Sequence, residues 1–109
     1  MSFRLPQTLA GPARGQSGAS VLDVEIAQQR AQTLGDLGHQ VEQALQALRD
    51  HDADGRDREA RERLLDAAAD RVWALMVQRE LSGLRHWDAV VKAYGVPREV
   101  LNRMGRVVR

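Results

Sequence analysis

The sequence predicts an all-α fold, in which a long antiparallel helical hairpin is capped by two short C-terminal helices. Three observations lead to this prediction. Apolar residues recur at steps of three and four over two long stretches, and glycine or proline marks the boundaries between the periodic segments. The chain has 109 residues, a length that suits one core. Because aromatic residues make up only 4% of the chain, we expect leucine, valine, alanine and methionine to fill that core.

The first 19 residues are predicted to form a flexible or extended arm. They contain Pro6 and Pro12 together with Gly11, Gly15 and Gly18, and small polar residues lie between them. The remaining residues, 20–109, are expected to form a single helical domain.

A first helix is predicted over residues 20–50. Ser20 and Asp23 are spaced as in a capping box, in which the hydroxyl accepts from free amides and the carboxylate lies at the positive end of the helix dipole. From there a heptad seam of small and apolar residues follows. Its members are Val24, Ala27, Ala31, Leu34, Gly38, Val41, Leu45 and Leu48.

Two glycines, Gly35 and Gly38, interrupt this helix, and each costs up to about 1 kcal/mol relative to alanine. Gly38 falls on the seam itself. We therefore expect a close helix–helix approach at Gly38, with a kink or a break of the helix as the alternative.

A second helix is predicted over residues 57–82. Its inner face is apolar and consists of Leu64, Leu65, Ala68, Val72, Leu75 and Met76. Over residues 72–77 the helix is apolar on nearly all sides, so it needs neighbours on more than one side. The C-terminal helices, a second subunit, or both are expected to cover it. We accordingly predict a homodimer, formed through the heptad seam or through residues 72–77.

Two short helices are predicted at the C-terminus, over residues 87–94 and 97–106. Gly83 has the properties of a residue that ends the preceding helix, Gly95 ends the third, and Pro97 starts the fourth. The third helix has one apolar face, formed by Trp87, Val90, Val91 and Tyr94. In the fourth, Val100, Leu101 and Met104 are expected to point inward.

This pair of short helices resembles a repressor-type helix-turn-helix. The motif reads DNA with the exposed face of its second helix, which here would use Arg98 and Asn102 on base edges and Arg103 and Arg106 on phosphates. Residues 83–109 carry six basic residues against two acidic ones, which favours contact with a polyanion. One departure is Val91, which occupies a position usually held by a small residue. Packing alone also explains the pattern, because glycine stops one helix and proline starts the next.

The segment between the first two helices resembles the first half of a calcium-binding EF-hand loop. Asp50, Asp52 and Asp54 alternate and Gly55 follows, but the position of the bidentate glutamate is occupied by Arg61. We predict a solvated turn between helices, with calcium binding at residues 50–55 as a minor alternative.

The remaining composition argues against catalysis and against other ligands. The chain has no cysteine, and no phosphate-binding loop, nucleophile elbow or paired-carboxylate site stands out, so no enzymatic activity, metal or cofactor is expected. His39, His51 and His86 lie in three separate regions and are predicted to be solvated or to cap helices. The longest apolar run, residues 72–77, is too short to cross a bilayer. We expect a cytoplasmic protein without a membrane partner.

Three segments resemble those of a family of short, uncharacterised bacterial helical proteins of unknown function. They are SVLDVEIAQ at residues 20–28, VWALMVQRE at residues 72–80 and YGVPREVLNRMGR at residues 94–106. The resemblance implies one helical domain and no particular activity. From the sequence we therefore predict a non-enzymatic interaction or regulatory protein that self-associates, with DNA binding through the C-terminal helices as the alternative.

Overall fold

A computed structural model describes the backbone of residues 17–107 and the side chains of residues 20–104, and within these limits the chain is all-helical. Its elements are α1 (Ser17–Asp54), α2 (Arg58–Leu81), α3 (Trp87–Tyr94) and α4 (Arg98–Val107). The predicted all-α class and the four predicted helices are confirmed. The predicted N-terminal arm lies outside the described residues, apart from residues 17–19, which are helical.

The chain divides into two compact units, residues 1–32 and residues 33–109. In the first unit, the described side chains belong to α1, and all of them from residue 20 to residue 32 are exposed. The second unit contains the rest of α1, the other three helices and the hydrophobic core.

The bounds of α1 differ from the prediction at both ends. The helix begins at Ser17, so Ser20 lies inside it rather than capping it. Residues 17–20 contain no proline, so the sequence allows the helix to begin before Ser20. At the other end α1 continues through Asp54 instead of ending near residue 50, and Gly55 is the first residue outside it.

The start of α2 follows from one side chain. Asp57 has extended backbone angles, and its Oδ1 accepts from the amides of Glu59 at 3.0 Å and Ala60 at 3.3 Å. This is an N-cap, which satisfies two of the amides that have no partner within the helix.

The ends of α2 and α3 are confirmed as glycine caps. Gly83 has φ +83° and Gly95 has φ +66°, a region that costs other residues conformational energy. Beyond each glycine the next amide reaches back five residues, from Leu84 to the Arg79 carbonyl and from Val96 to the Val91 carbonyl. Both ends are therefore Schellman motifs.

The core lies in the second unit and is built from all four helices. Its largest fully buried side chains are Val41, Leu45, Leu65, Val72, Met76 and Val100. The residues buried in the described part of the chain are all apolar or glycine. Among the helices, α2 and α4 pack with the closest backbone approach. Residues 72–77 thus receive neighbours from within the chain, with Val72 and Met76 at 0% exposure.

Gly38 marks a close approach, as expected, and α1 continues through it without a break. The neighbour is Tyr94 at the end of α3. A Cβ at Gly38 would overlap the Tyr94 hydroxyl oxygen and lie 3.3 Å from Cζ of the same ring. Glycine is therefore required here for space rather than for its backbone angles.

Candidate functional site

The four residues predicted to contact DNA do not form one equivalent set on α4. Arg98 and Asn102 are exposed. Arg103 is largely covered, with only 13% of its side chain exposed. The side chain of Arg106 lies outside the described residues.

Arg103 binds two carboxylates of α2. Its Nη1 donates to Asp66 Oδ1 at 2.9 Å, and its Nη2 donates to Glu62 Oε1. Hydrogen bonding to Glu62 and to Asp66 raises the pKa of the Arg103 guanidinium above its usual value. The side chain predicted to contact phosphate therefore fixes α4 to α2.

A second arginine joins three helices. Arg61 on α2 donates from Nε to Asp52 Oδ1 of α1 at 2.7 Å, and two further donors reach the Glu99 carboxylate of α4, each at 2.9 Å. Hydrogen bonds from Arg61 lower the pKa of the Asp52 carboxyl and that of the Glu99 carboxyl. The forked guanidinium binds both carboxylates at once, which a single ammonium group does less well.

These two clusters, which join α4 to α2 and α2 to α1, together carry a net negative charge. Arg61 and Arg103 supply two positive charges, and their partners Asp52, Glu62, Asp66 and Glu99 supply four negative ones. A net negative charge beside Arg98 and Asn102 opposes the approach of a phosphate backbone. The sequence predicts neither cluster, because the carboxylate partners of Arg61 and Arg103 lie on other helices.

Residues 50–54 form neither the predicted solvated turn nor the loop that the minor alternative, calcium binding, would need, because α1 continues through Asp54. Asp50, Asp52 and Asp54 lie in the last turns of α1. Side chains two residues apart in a helix are rotated by about 200° around its axis, so they point to nearly opposite sides. Asp52 also binds Arg61. Among the residues that the structure describes, no group of three or more histidine, aspartate or glutamate side chains is placed to hold a metal ion.

The histidines differ in their surroundings. His39 and His86 are exposed, and His86 precedes α3 without a capping hydrogen bond from its ring. His51 was also predicted to be solvated or to cap a helix, but only 14% of its side chain is exposed. Its ring lies against Gly55, where a Cβ would come within 2.5 Å of Cδ2, so the short link between α1 and α2 covers it.

In residues 20–104, two groups of large aliphatic side chains are exposed. The first belongs to the first unit: Val21, Leu22, Val24 and Ile26 are between 46% and 59% exposed. The second lies at the end of α2 and just after it, where Leu81 is 73% exposed and Leu84 is 39% exposed.

A shallow apolar recess of about 350 Å³ is formed by residues of α1 and α2. It is lined by Thr33, Leu37, Trp73, Ala74, Val77 and Gln78.

The two dimer surfaces predicted from the sequence differ in exposure. The heptad seam is covered at Val41, Leu45 and Leu48 and exposed at Val24, Ala27 and Ala31. In residues 72–77, by contrast, only the side that bears Trp73, Ala74 and Val77 is partly open.

The fold and these surfaces define a small helical protein whose charged clusters hold its helices together. The chain belongs to DUF6665, a family of unknown function whose model matches residues 1–109. This confirms the expected membership of an uncharacterised family. No curated protein and no solved structure matches the chain. In the described part of the chain, no helix is long and apolar enough to cross a membrane.

Proposed function

We propose that this protein is a non-enzymatic helical interaction protein that acts as a homodimer in the cytoplasm. One observation carries the proposal: among residues 20–104, six large aliphatic side chains are 39–73% exposed and lie outside the buried core. Covering such a side chain contributes up to about 1.5–3 kcal/mol, so groups of them favour association.

The fold proposed for each subunit is the long hairpin capped by two short helices. Two side-chain contacts support an antiparallel course of α2 beside the second part of α1. Arg71 donates to Gln40 at 3.1 Å, and Arg61 donates to Asp52 at 2.7 Å. As the residue number rises from 40 to 52 along α1, that of its partner falls from 71 to 61 along α2.

The ion pairs of the charged side chains support a non-enzymatic role. Arg61 and Arg103 each bind two carboxylates, and these ion pairs join different helices. Both guanidinium groups stabilise the arrangement of α4, and each already has two carboxylate partners. The cysteine-free sequence suits the reducing cytoplasm.

DNA binding through α4 is the rival function. The exposure of Arg98 and Asn102 favours it, and the engagement of Arg103 with Glu62 and Asp66 opposes it. Fluorescence anisotropy with a random duplex at low salt separates the two functions. Phosphate contacts predict an affinity that falls steeply with salt, whereas the interaction protein gives no binding at micromolar concentration.

Self-association is tested by light scattering over a concentration series. We expect a mass near twice the 12.2 kDa of one chain at high concentration, falling toward that value on dilution. A mass of one chain at every concentration would refute the dimer. The variant Gln46→Ala, on an exposed face of α1, is the control and should leave the mass unchanged.

A further inference from the structure

The first unit contains a row of exposed apolar side chains on α1. Leu22 and Ile26 are 59% and 46% exposed, and every described side chain from residue 20 to residue 32 is exposed as well. Residues four apart lie on one face of a helix, so the two side chains form a continuous row. Because a helix in a protein gains most of its stability from the packing of an apolar face, covering this row would stabilise this part of α1.

The row has the heptad pattern of a two-stranded coiled coil. With Leu22 at position d, the next position a is Ile26 and the following d is Gln29. A β-branched residue at a together with leucine at d favours two parallel strands. We infer that two copies of this chain pair in parallel here, around a twofold axis, with Leu22 against Leu22 and Ile26 against Ile26. The inference rests on the proposed self-association and names its surface.

Charge complementarity indicates that the occupant of this face is a second copy in the parallel orientation. In a parallel pair, position g of one helix lies beside position e of the next heptad on the other. Here this sets Glu25 beside Arg30 of the second copy, and the twofold axis repeats the contact. Both side chains are exposed in the single chain. No charged residue lies three or four positions from either of them along α1, so no ion pair within the helix competes.

The antiparallel arrangements of this row fit less well. An antiparallel copy could place Leu22 against Ile26. That register brings Asp23 beside its own counterpart and Glu25 beside its own counterpart, and such like-charge contacts suppress the arrangement. A shift by one heptad removes these contacts but sets Ile26 against the polar Gln29.

The predicted heptad seam runs along another side of α1. Its exposed members there are Val24, Ala27 and Ala31. A parallel pair formed on that side sets Asp23 beside Gln28, a contact without opposite charges. It also leaves Leu22 and Ile26 exposed. We therefore place the contact between copies on the row of Leu22 and Ile26.

Single cysteines test the geometry directly, because the natural chain contains none. Gln29→Cys brings two thiols together across the parallel pair, and mild oxidation should join the copies rapidly by a disulfide. Gln28→Cys is the matched control, since it replaces the neighbouring, equally exposed glutamine on another side of the helix, and it should link slowly. If Gln29→Cys links no faster than Gln28→Cys in a chain that is dimeric by light scattering, this interface is overturned and self-association stands. A monomeric chain overturns both.

Point variants provide a second, independent readout. Ile26→Asp should raise the dissociation constant of the dimer about tenfold or more, and it should keep the core intact because Ile26 lies outside it. Gln28→Asp introduces the same charge at an exposed position outside the aliphatic group, so it is the control and should leave the dissociation constant unchanged. Val24→Asp probes the predicted seam. An effect of Val24→Asp as large as that of Ile26→Asp would place the contact on the other side of α1 and refute the inference.

A charge exchange tests the parallel orientation. Glu25→Arg and Arg30→Glu each turn two attractive contacts into repulsive ones and should raise the dissociation constant about threefold or more at low salt. The double variant that carries both changes should restore it, because the opposite charges again face each other. Either antiparallel register lacks the contact between Glu25 and Arg30, so a double variant that does not recover the affinity rules out the parallel pair.

Discussion

Gly38 and Gly35 lie three residues apart in α1 and should respond in opposite ways to the same substitution. Alanine at either position gains up to about 1 kcal/mol of helix propensity relative to glycine. At Gly35 no heavy atom comes within 4 Å of the new Cβ, so Gly35→Ala should increase the free energy of unfolding by that amount. Gly38→Ala places its Cβ on the Tyr94 hydroxyl, which must move by roughly 1 Å to restore ordinary contact.

Overpacking of this kind costs about 1–3 kcal/mol, so Gly38→Ala should be neutral or destabilise the protein by up to about 2 kcal/mol. Tyr94→Phe removes the overlapping oxygen and leaves Cζ, at 3.3 Å from the new Cβ, as the nearest ring atom. In that background Gly38→Ala should recover most of the lost stability. The two sites should therefore show a coupling free energy of about 1–2 kcal/mol.

Urea denaturation at one fixed protein concentration measures all of these values, because the proposed dimer formation would make the apparent stability depend on concentration. The four proteins of the Gly38 and Tyr94 cycle are compared with Gly35→Ala. If Gly38→Ala stabilises the protein as much as Gly35→Ala does, then Tyr94 does not lie against Gly38, and the argument from space is wrong.

Two further predictions concern the charged residues of α2. Asp57→Ala removes the N-cap of α2 and should lower the free energy of unfolding by about 1 kcal/mol in the same urea titration. Asp57→Asn should retain most of the stabilisation by the cap, because asparagine is also a good N-cap residue. Arg61→Met leaves Asp52 and Glu99 without their partner. Arg61 lowers the pKa of both carboxyls in the folded state. It therefore stabilises the fold fully at any pH above the pKa of the unfolded carboxyls, which is about 4. This stabilisation is lost as the pH falls through the lower pKa of the folded carboxyls. The difference in urea midpoint between the natural chain and Arg61→Met should thus be complete at neutral pH and shrink below about pH 4; a difference that is constant with pH would contradict the assignment.

The helices could be predicted from the sequence because their signals are local. Gly83 and Gly95 end helices through backbone angles that glycine adopts freely, and the apolar spacing of α3 identified its bounds. The end of α1 was misplaced because the aspartates of residues 50–54 resemble a loop in sequence. In the structure, Asp52 is held in the helix beside Arg61.

The candidate surfaces depended on contacts between distant residues, which a single sequence does not specify. In the sequence, Arg103 and Arg98 were equally good candidates for a DNA contact, since both are basic residues on a predicted outer face. Only the fold places Glu62 and Asp66 beside Arg103 and leaves Arg98 exposed. The recess on α2 likewise combines residues 33 and 37 with residues 73–78, which lie far away along the chain.

The way in which α4 is attached has a consequence for local unfolding. Its ion pairs with Arg61, Glu62 and Asp66 join it to residues 37 to 41 positions earlier, and its side chains Val100 and Met104 are buried in a helix that packs on α2. α4 can therefore detach as a unit while α2 and α3 keep their own end caps. In native-state hydrogen exchange, the amides of α4 would then form a cooperative group of their own, with a lower opening free energy than the amides at the centre of α2.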